Sequence, residues 1–222
     1  MFRIAALLTL ALAANTASAI QIPTKTFDKD SKTAYTQTLA KSQSGSATFE
    51  FSFNYSGALD GNDFLGFWVG NANNLEKAYL GPNFGFKNNC GNTSITSTCT
   101  NDLFVRTQGT GGHFIAGSNL QENTTYTLFA HLYKSGKTNF YDRFDLWLNP
   151  TDAEKLSLTG ADASANEKSA LTSFDTIGFR TDGVNKGLVF NVNPAEVPEP
   201  GSVALMGLAL AALALSRRNK RG

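Results

Sequence analysis

Two cysteines, Cys90 and Cys99, are the side chains of this 222-residue sequence best suited to covalent chemistry. They have eight residues between them in a stretch rich in Gly, Asn and Thr. No Cys-x-x-Cys motif, which would suggest redox or zinc chemistry, is present in the sequence. In an exported protein this spacing favours a disulfide that closes a surface loop. The sequence therefore predicts a structural Cys90–Cys99 disulfide.

The two histidines do not form a recognisable catalytic motif. His113 follows the glycine-rich stretch 109–112, and His131 shares one face of a predicted strand with Phe129 and Tyr133. A single histidine beside aromatic side chains is more often packed or hydrogen-bonded than catalytic. The G-x-S-x-G motif of serine hydrolases, the H-E-x-x-H motif of zinc proteases and the P-loop do not occur in the sequence. We therefore predict no catalytic residue.

Glycoside hydrolysis is the enzymatic alternative, and it needs two carboxyl groups, about 5 Å apart in retaining enzymes. The nearest pair, Asp142 and Asp145, has an odd spacing on a predicted strand and would point to opposite faces. The turn from Asp60 to Asp63 (Asp-Gly-Asn-Asp) offers the oxygen atoms that calcium prefers, but such sequences also form turns without a metal. We therefore predict no cofactor, with calcium at Asp60 and Asp63 as the alternative.

Aromatic side chains are the remaining candidates for ligand binding, because sugar rings stack on exposed tryptophan and tyrosine rings. Most aromatic residues of a β-sandwich lie in its core. Trp147 alternates with the polar residues Arg143 and Asp145, and this pattern predicts that its ring is partly exposed. Trp147 is therefore the first candidate for a ligand-binding residue, followed by Tyr141 and Trp68.

The hydrophobic pattern predicts an all-β fold. Apolar and polar residues alternate from Phe49 to Tyr55, which places four aromatic rings on one face of a strand. Further short runs are separated by Gly, Asn and Pro clusters, and only the stretch 151–171 is suited to an ordered loop or one short helix. Such a series is typical of a β-sandwich. The runs are Phe64–Val69, Ala78–Phe86, Leu103–Thr107, His113–Ala116, Thr125–Lys134, Tyr141–Leu148, Phe174–Thr181 and Leu188–Val192.

The charge composition argues against a body that binds nucleic acid. The whole chain has a net charge of +1, but residues 20–200 include 14 basic and 18 acidic residues. A mildly acidic body has no general basic surface with which to hold a phosphate backbone. The remaining positive charges lie at the two ends of the chain.

The first 19 residues have the three parts of a secretory signal peptide. Arg3 supplies a positive charge, residues 4–14 form an apolar core, and Ala17-Ser18-Ala19 offers a cleavage site of small residues. We predict that signal peptidase cuts after Ala19, so that the mature chain begins at Ile20. The alternative is a retained N-terminal anchor, for which the core is short, because a membrane span takes about 20 apolar residues.

The C-terminal end combines a proline-flanked acid with an apolar segment and a basic cluster. The motif Val197-Pro198-Glu199-Pro200 is predicted to be extended, because prolines do not fit a helix interior. Residues 201–216 form a short candidate for a single transmembrane helix. The tail, residues 217–222, has four positive charges that would stop transfer and remain in the cytoplasm. These stop-transfer residues are Arg217, Arg218, Lys220 and Arg221.

This arrangement resembles the PEP-CTERM sorting signal of Gram-negative bacteria, which has a Pro-Glu-Pro motif, an apolar helix and a basic cluster in the same order. The resemblance implies that exosortase, a membrane protease-transpeptidase, recognises the motif and detaches or transfers the protein. It also implies a host that makes exopolysaccharide and a biofilm or floc matrix. The resemblance covers residues 197–222 and says nothing about the body of the chain.

The body has a second resemblance, at the level of strand patterns. The stretches 124–130, 146–150 and 177–180 are similar to strands of laminin-G-like or concanavalin-A-like jelly rolls. This resemblance implies a jelly-roll-type β-sandwich over residues 45–193. An N-terminal segment of the body, residues 20–44, would precede it, and a Pro-rich linker, residues 194–200, would follow.

Together these predictions describe an exported protein that is first anchored in the membrane by its C-terminal helix and then processed by exosortase. Its final location would be the cell surface or the extracellular matrix. The body would be a non-catalytic binding or structural module, with polysaccharide as its candidate partner and no nucleic acid. Two alternatives stay open, namely a carbohydrate-active enzyme on a jelly-roll fold and a plain single-pass membrane protein.

Overall fold

A computed structural model describes residues 22–29, 35–89, 99–109, 113–115 and 117–196. The predicted signal peptide with its cleavage site, Cys90, and residues 197–222 with the sorting motif, apolar segment and basic tail lie outside the described residues. Within the described ranges, no helix has the length and hydropathy needed to cross a membrane.

The described residues form strands that lie in two antiparallel sheets of six. In chain order the strands are β1 (Lys25–Asp28), β2 (Thr36–Gln43), β3 (Ala47–Ser56), β4 (Phe64–Gly70), β5 (Asn83–Asn89), β6 (Thr100–Arg106), β7 (His113–Phe114), β8 (Tyr126–Tyr133), β9 (Arg143–Leu148), β10 (Ala163–Ala165), β11 (Phe174–Asp182) and β12 (Lys186–Glu196). Sheet 1 has the order β1-β12-β3-β8-β9-β10, and sheet 2 has the order β2-β11-β4-β5-β6-β7. The predicted all-β, jelly-roll-type sandwich is confirmed.

The alternating pattern of β3 places its aromatic rings in the core between the sheets. The Phe51 ring lies 5.4 Å from the Phe84 ring and 5.1 Å from the Phe179 ring, measured between centroids. Tilted and edge-to-face contacts of this kind add to the free energy gained by burying apolar surface. The four rings of β3 are at most 2% exposed, and they belong to Phe49, Phe51, Phe53 and Tyr55.

Three strands, β1, β2 and β10, were not predicted from the sequence, and all three lie at sheet edges. In β2 only Leu39 is buried, so the strand has no continuous apolar face. The predicted strand Ala78–Phe86 was wrong in its first half, because Ala72–Leu80 forms a 3-10 helical segment and β5 begins at Asn83. The sandwich extends from β1 to β12, beyond residues 45–193 at both ends.

The stretch 151–171 contains one short helix, α1 (Asp152–Ser157), as predicted. Thr151 caps its N-terminus: the Thr151 Oγ1 accepts a hydrogen bond from the Glu154 N–H at 3.3 Å, and the Glu154 Oε2 accepts one from the Thr151 N–H at 2.8 Å. Lys155 Nζ lies 2.8 Å from Glu50 Oε2 of β3. The helix therefore lies over the outer face of sheet 1.

The connection between β8 and β9 is held by the carboxylate of Asp142, which is 6% exposed. It accepts hydrogen bonds from the Ser135 N–H at 2.7 Å and from the Ser135 hydroxyl at 2.6 Å. Burial alone would raise the pKa of Asp142, but the hydrogen bonds from Ser135 and the nearby positive charge of Arg143 outweigh it and lower the pKa below its usual value.

We expect Asp142→Ala to lower the free energy of unfolding by about 1–3 kcal/mol at pH 7, because the two partly buried donors of Ser135 would lose their acceptor. Since the folded state lowers the pKa of Asp142, its contribution is complete above the unfolded pKa of about 4 and is lost as the pH falls through the lower folded value. Urea unfolding from pH 7 to pH 2 should show the two proteins converging at low pH. Asp152→Ala, at an exposed acid of α1, is the control, and a difference between Asp142→Ala and wild type that is constant with pH would contradict the prediction.

The register of β5 and β6 bears on the predicted disulfide. Asn89 is paired with Thr100, and Cys99 directly precedes that residue. Cys90 follows Asn89 in the sequence, so each cysteine is one residue away from a member of this pair, and a disulfide requires Cα atoms that are less than about 7 Å apart. We expect thiol titration in denaturant to find no free thiol before reduction and two after it. Two free thiols without reductant would contradict the prediction.

Candidate ligand-binding groove

The outer face of sheet 2 carries rows of side chains from the neighbouring strands β11, β4, β5 and β6. Residues paired directly across these strands point to the same side of the sheet, and the residues between them along each strand belong to the core. The first row is Asp182, Phe64, Lys87 and Asp102, the second is Arg180, Gly66, Gly85 and Phe104, and the third is Gly178, Trp68, Asn83 and Arg106.

Glycines leave a depression at the centre of these rows. Gly66 is paired with Gly85, and a Cβ atom on Gly85 would lie 2.7 Å from the Gly66 Cα, so β4 and β5 can approach this closely only with glycine. The depression has a volume of about 260 Å³. We call it the basic groove, and it is lined by Asn62, Phe64, Gly66, Trp68, Asn83, Lys87, Phe104, Arg106, Arg180 and Asp182.

Two arginines lie against aromatic rings of the basic groove. The Arg106 Cζ is 4.2 Å from the centroid of the Phe104 ring, and the Arg180 Cζ is 5.6 Å from that of Phe64. A guanidinium group over an aromatic face is stabilised by the ring, and its N–H groups remain directed along the plane. The rings therefore hold the arginines in position along the groove.

Positive charge in the basic groove is partly removed from water. Burial lowers the pKa of Arg106 to about 10, which leaves the group charged at neutral pH. Burial also lowers the pKa of Lys87, and the positive charge of Arg106 lowers it further. Lys87 and Arg106 both line the groove, so two positive charges belong to the same partly buried surface.

The predicted exposure of Trp147 is wrong: its side chain is 1% exposed. The ring lies on the outer face of sheet 1, where the residues after α1 cover it, and its Nε1–H donates a hydrogen bond to the Thr159 carbonyl oxygen at 3.0 Å. Its other neighbour is the Phe129 ring, at a centroid distance of 5.4 Å. Trp147 therefore presents no ring face on which a sugar could stack.

Tyr141 and Trp68, the other predicted ligand-binding residues, have different positions. Tyr141 is 0% exposed, and its hydroxyl donates to the Gly45 carbonyl oxygen at 2.8 Å, so it is a core residue. Trp68 lies on the outer face of sheet 2 and lines the basic groove. A Cβ atom on Gly178 would lie 2.6 Å from the Trp68 Cε2, so the indole ring covers this glycine and shows only its margin to the groove.

His131 is packed and hydrogen-bonded, as predicted. Its Nε2 lies 2.5 Å from the Ser46 Oγ, and its ring stacks on Tyr133 at a centroid distance of 4.5 Å. Burial lowers the pKa of His131, although the negative charge of Asp145 opposes this effect. The carboxylate of Asp145 accepts a hydrogen bond from the Ser164 hydroxyl at 2.6 Å.

His113 lines a second cavity of about 630 Å³, at one end of the sandwich. Its Nε2 is 3.0 Å from the Glu167 Oε1, and the Thr107 hydroxyl donates to the Glu167 Oε2 at 3.2 Å. The hydrogen bond from His113 lowers the pKa of Glu167. The polar groups of this cavity are thus hydrogen-bonded to one another. The basic groove instead has three positively charged side chains in its lining. We therefore take the groove as the candidate site.

The turn at Asp60 and Asp63 is closed by its own hydrogen bonds. The Asp63 Oδ2 accepts a hydrogen bond from the Asp60 N–H at 2.6 Å, and the Asp60 carbonyl oxygen accepts one from the Asp63 N–H at 2.9 Å. In the part of the chain that the structure describes, no three His, Cys, Asp or Glu side chains form a metal-binding group. The hydrogen bonds account for the conformation of the turn, and calcium binding stays a prediction.

Lys87, Arg106 and Arg180 were not predicted as site residues. A signal for them exists, because three strands contain a glycine between two apolar residues, centred on Gly66, Gly85 and Gly178. In a two-sided strand such a glycine lies on the face away from the core, where it leaves space for a ligand. Lys87 in β5 and Arg180 in β11 each lie two residues after such a glycine.

The two sheets and the groove define a jelly-roll-type β-sandwich. Among solved structures, a mutant of the alginate lyase Aly36B in complex with an alginate trisaccharide is 10% identical over 79% of this chain and 81% of that chain, with a TM-score of 0.49. The carbohydrate-binding module CBM66 from Bacillus subtilis is 13% identical over 82% and 98%, with a TM-score of 0.41. A tetrameric galectin from the ball sponge Cinachyrella sp. is 8% identical over 73% and 99%, also with a TM-score of 0.41. Identities this low do not carry residue roles from one protein to another.

The sorting signal is confirmed by a sequence comparison: residues 196–218 match the family model of the PEP-CTERM protein-sorting motif. The motif indicates an exported protein that is transiently anchored in the membrane before exosortase processes it. No curated protein matches the sequence of this chain.

Proposed function

We propose that this chain is a protein of the cell surface or extracellular matrix whose β-sandwich binds polysaccharide through the basic groove without cleaving it. The observation that carries this proposal is the groove itself, with aromatic rings, a glycine floor and charged or amide groups on the outer face of sheet 2. Signal peptidase and exosortase would act as processing enzymes, and the body would remain to act in the matrix.

The chemistry of the basic groove suits a sugar. The apolar C–H face of a sugar ring packs on flat surfaces such as aromatic rings, while its hydroxyl groups need donors and acceptors. Phe64, which is half-buried, supplies the accessible apolar surface, whereas Phe104 is 2% exposed and lies beneath Arg106. The Asn83 side-chain amide, whose Nδ2 donates a hydrogen bond to the Gly81 carbonyl oxygen at 2.6 Å, adds polar groups to the same lining.

The enzymatic alternative requires groups that move protons. Among the described residues that line the basic groove, Asp182 is the one carboxylate, whereas hydrolysis by the common mechanism uses two. Prolonged incubation with each bound polysaccharide, followed by assay of reducing ends and of unsaturated products, distinguishes the two functions. Product formation that requires the protein would favour the enzyme.

Binding through the groove is tested with two half-buried phenylalanines. Phe64 lies in the groove beneath Arg180, and Phe140 lies elsewhere beneath Lys168, with a ring-to-cation distance of 4.0 Å. We expect Phe64→Ala to weaken polysaccharide binding by about tenfold, because it removes apolar contact area. The Phe140→Ala variant should bind within about twofold of wild type, because this substitution lowers only the free energy of unfolding.

The measurement is affinity gel electrophoresis of the mature protein against a panel of neutral and acidic polysaccharides, with thermal unfolding of each variant beside it. Equal weakening by the two substitutions would contradict binding through the groove. Absence of binding to every polysaccharide of the panel would contradict the proposed function itself.

A further inference from the structure

The basic groove differs in charge from the rest of the body. Residues 20–200 carry an excess of acidic residues, 18 against 14 basic ones. The lining of the groove instead has three basic side chains, Lys87, Arg106 and Arg180, and one acidic side chain, Asp182. A local excess of positive charge in an acidic protein raises the concentration of anions at that site and steers them to it.

The three cations come from three strands and surround the same depression. Lys87 belongs to β5, Arg106 to β6 and Arg180 to β11, and they lie in three different rows of the sheet. Their charged ends are therefore distributed along the groove. A polymer with a repeating negative charge can contact several of these cations at once, whereas a single small anion can contact only some of them.

The carboxylate of the neighbouring residue Asp102 is hydrogen-bonded to other groups of the protein. Asp102 lies opposite Lys87, and its carboxylate accepts hydrogen bonds from the Thr100 hydroxyl at 2.7 Å, the Asn89 side-chain amide at 3.1 Å and the Asn119 N–H at 3.2 Å. These bonds join the carboxylate to the ends of β5 and β6 and to Asn119. The Asp102 carboxylate therefore has hydrogen-bond partners of its own besides its position opposite Lys87.

A neutral ligand gains nothing from the positive charges of Lys87, Arg106 and Arg180. A negatively charged ligand is attracted to all three, and guanidinium groups pair with carboxylate and sulfate oxygens through two parallel N–H bonds. Partial burial strengthens such pairs relative to pairs in open water.

We propose that the basic groove selects acidic polysaccharides, in which carboxylate or sulfate groups on successive sugars contact Lys87, Arg106 and Arg180. This inference rests on the proposed polysaccharide binding and specifies the chemical class of the ligand. Carboxylate and sulfate share the anionic oxygens that the site recognises.

Two matched pairs of polymers test the inference on the mature protein. Polygalacturonate and its methyl ester differ in carboxylate charge, and dextran sulfate and dextran differ in sulfate charge. We expect the charged member of at least one pair to bind at least about tenfold more tightly at 50 mM NaCl, and this preference to fall by about tenfold at 500 mM.

Lys87→Met keeps the length of the side chain and removes its charge, and Lys186→Met makes the same change at an exposed residue of sheet 1. Lys87→Met should weaken binding of the charged polymer by about tenfold and reduce its salt dependence, while Lys186→Met should match wild type. Equal effects of the two variants would overturn the inference.

Different results would contradict polysaccharide binding and selection by charge. Binding that is confined to neutral polysaccharides, or equal for both members of each pair at all salt concentrations, overturns selection by charge and leaves polysaccharide binding intact. Absence of binding to every charged and uncharged polymer overturns polysaccharide binding itself.

Discussion

Replacement of Phe51 by alanine should lower the free energy of unfolding by about 3–5 kcal/mol, because it leaves a cavity at the centre of the core. The ring is 1% exposed and packs against the Phe53, Phe67, Phe84 and Phe179 rings. A loss of this size corresponds to a decrease in melting temperature of about 10 °C for a domain of this length. Thermal and urea unfolding of the mature protein, followed by near-ultraviolet circular dichroism, measures it.

Leu156→Ala is the control for the core prediction, because Leu156 on α1 is 89% exposed. Its substitution should change the free energy of unfolding by less than about 0.5 kcal/mol. If Phe51→Ala does not fold, Phe51→Leu retains most of the side-chain volume and should cost roughly 1 kcal/mol. Similar stabilities for Phe51→Ala and Leu156→Ala would mean that the packing between the sheets is not as the structure has it.

The sequence pattern was informative where a strand is apolar on one face and polar on the other. The alternation in β3 has that form because one face of the strand packs on sheet 2 and the other faces outward. The edge strand β2 lacks this signal, since only Leu39 is buried in it. Its position depends on pairing with β11, more than a hundred residues further along the chain, and no local pattern contains that information.

Trp147 shows why alternation alone misjudged exposure. Alternation correctly placed Trp147 on the outer face of sheet 1 with Arg143 and Asp145. A residue on an outer face is exposed only if nothing crosses above it, and here the residues after α1 do, with Thr159 accepting the indole hydrogen bond. The path of a covering loop is tertiary information.

The basic groove was beyond prediction for a related reason. Its rows combine β11 with β4, β5 and β6, and the pairing of Arg180 with Gly66 joins residues that are far apart in the sequence. In the sequence, each of the three cations has the pattern of an ordinary solvated charge on a strand. Only the strand order brings the three cations and the paired glycines to one depression, so composition, which is mildly acidic overall, gave the opposite impression of this surface.

The sorting signal, in contrast, is encoded locally, and its removal should have an all-or-none effect. Replacing Pro198, Glu199 and Pro200 together by alanine removes the prolines that we predict to keep this segment extended, and it gives the segment a high helix propensity. We expect the protease to lose its substrate. The wild-type mature protein from the native host should lack residues 1–19 and everything after the Pro-Glu-Pro region, whereas the variant should lack residues 1–19 only and end at Gly222. Intact-mass measurement distinguishes the two forms.

Two controls separate sorting from general failure of export. Ser202→Ala makes an alanine substitution beside an intact motif and should be processed like wild type. The wild-type sequence in an exosortase-deficient strain should carry the tail, like the triple variant, and all forms should begin at Ile20 because signal peptidase acts separately. A wild-type chain that still ends at Gly222 in both strains would make the tail a plain membrane anchor. The groove would then act at the membrane surface, and the proposal of a matrix protein would fail.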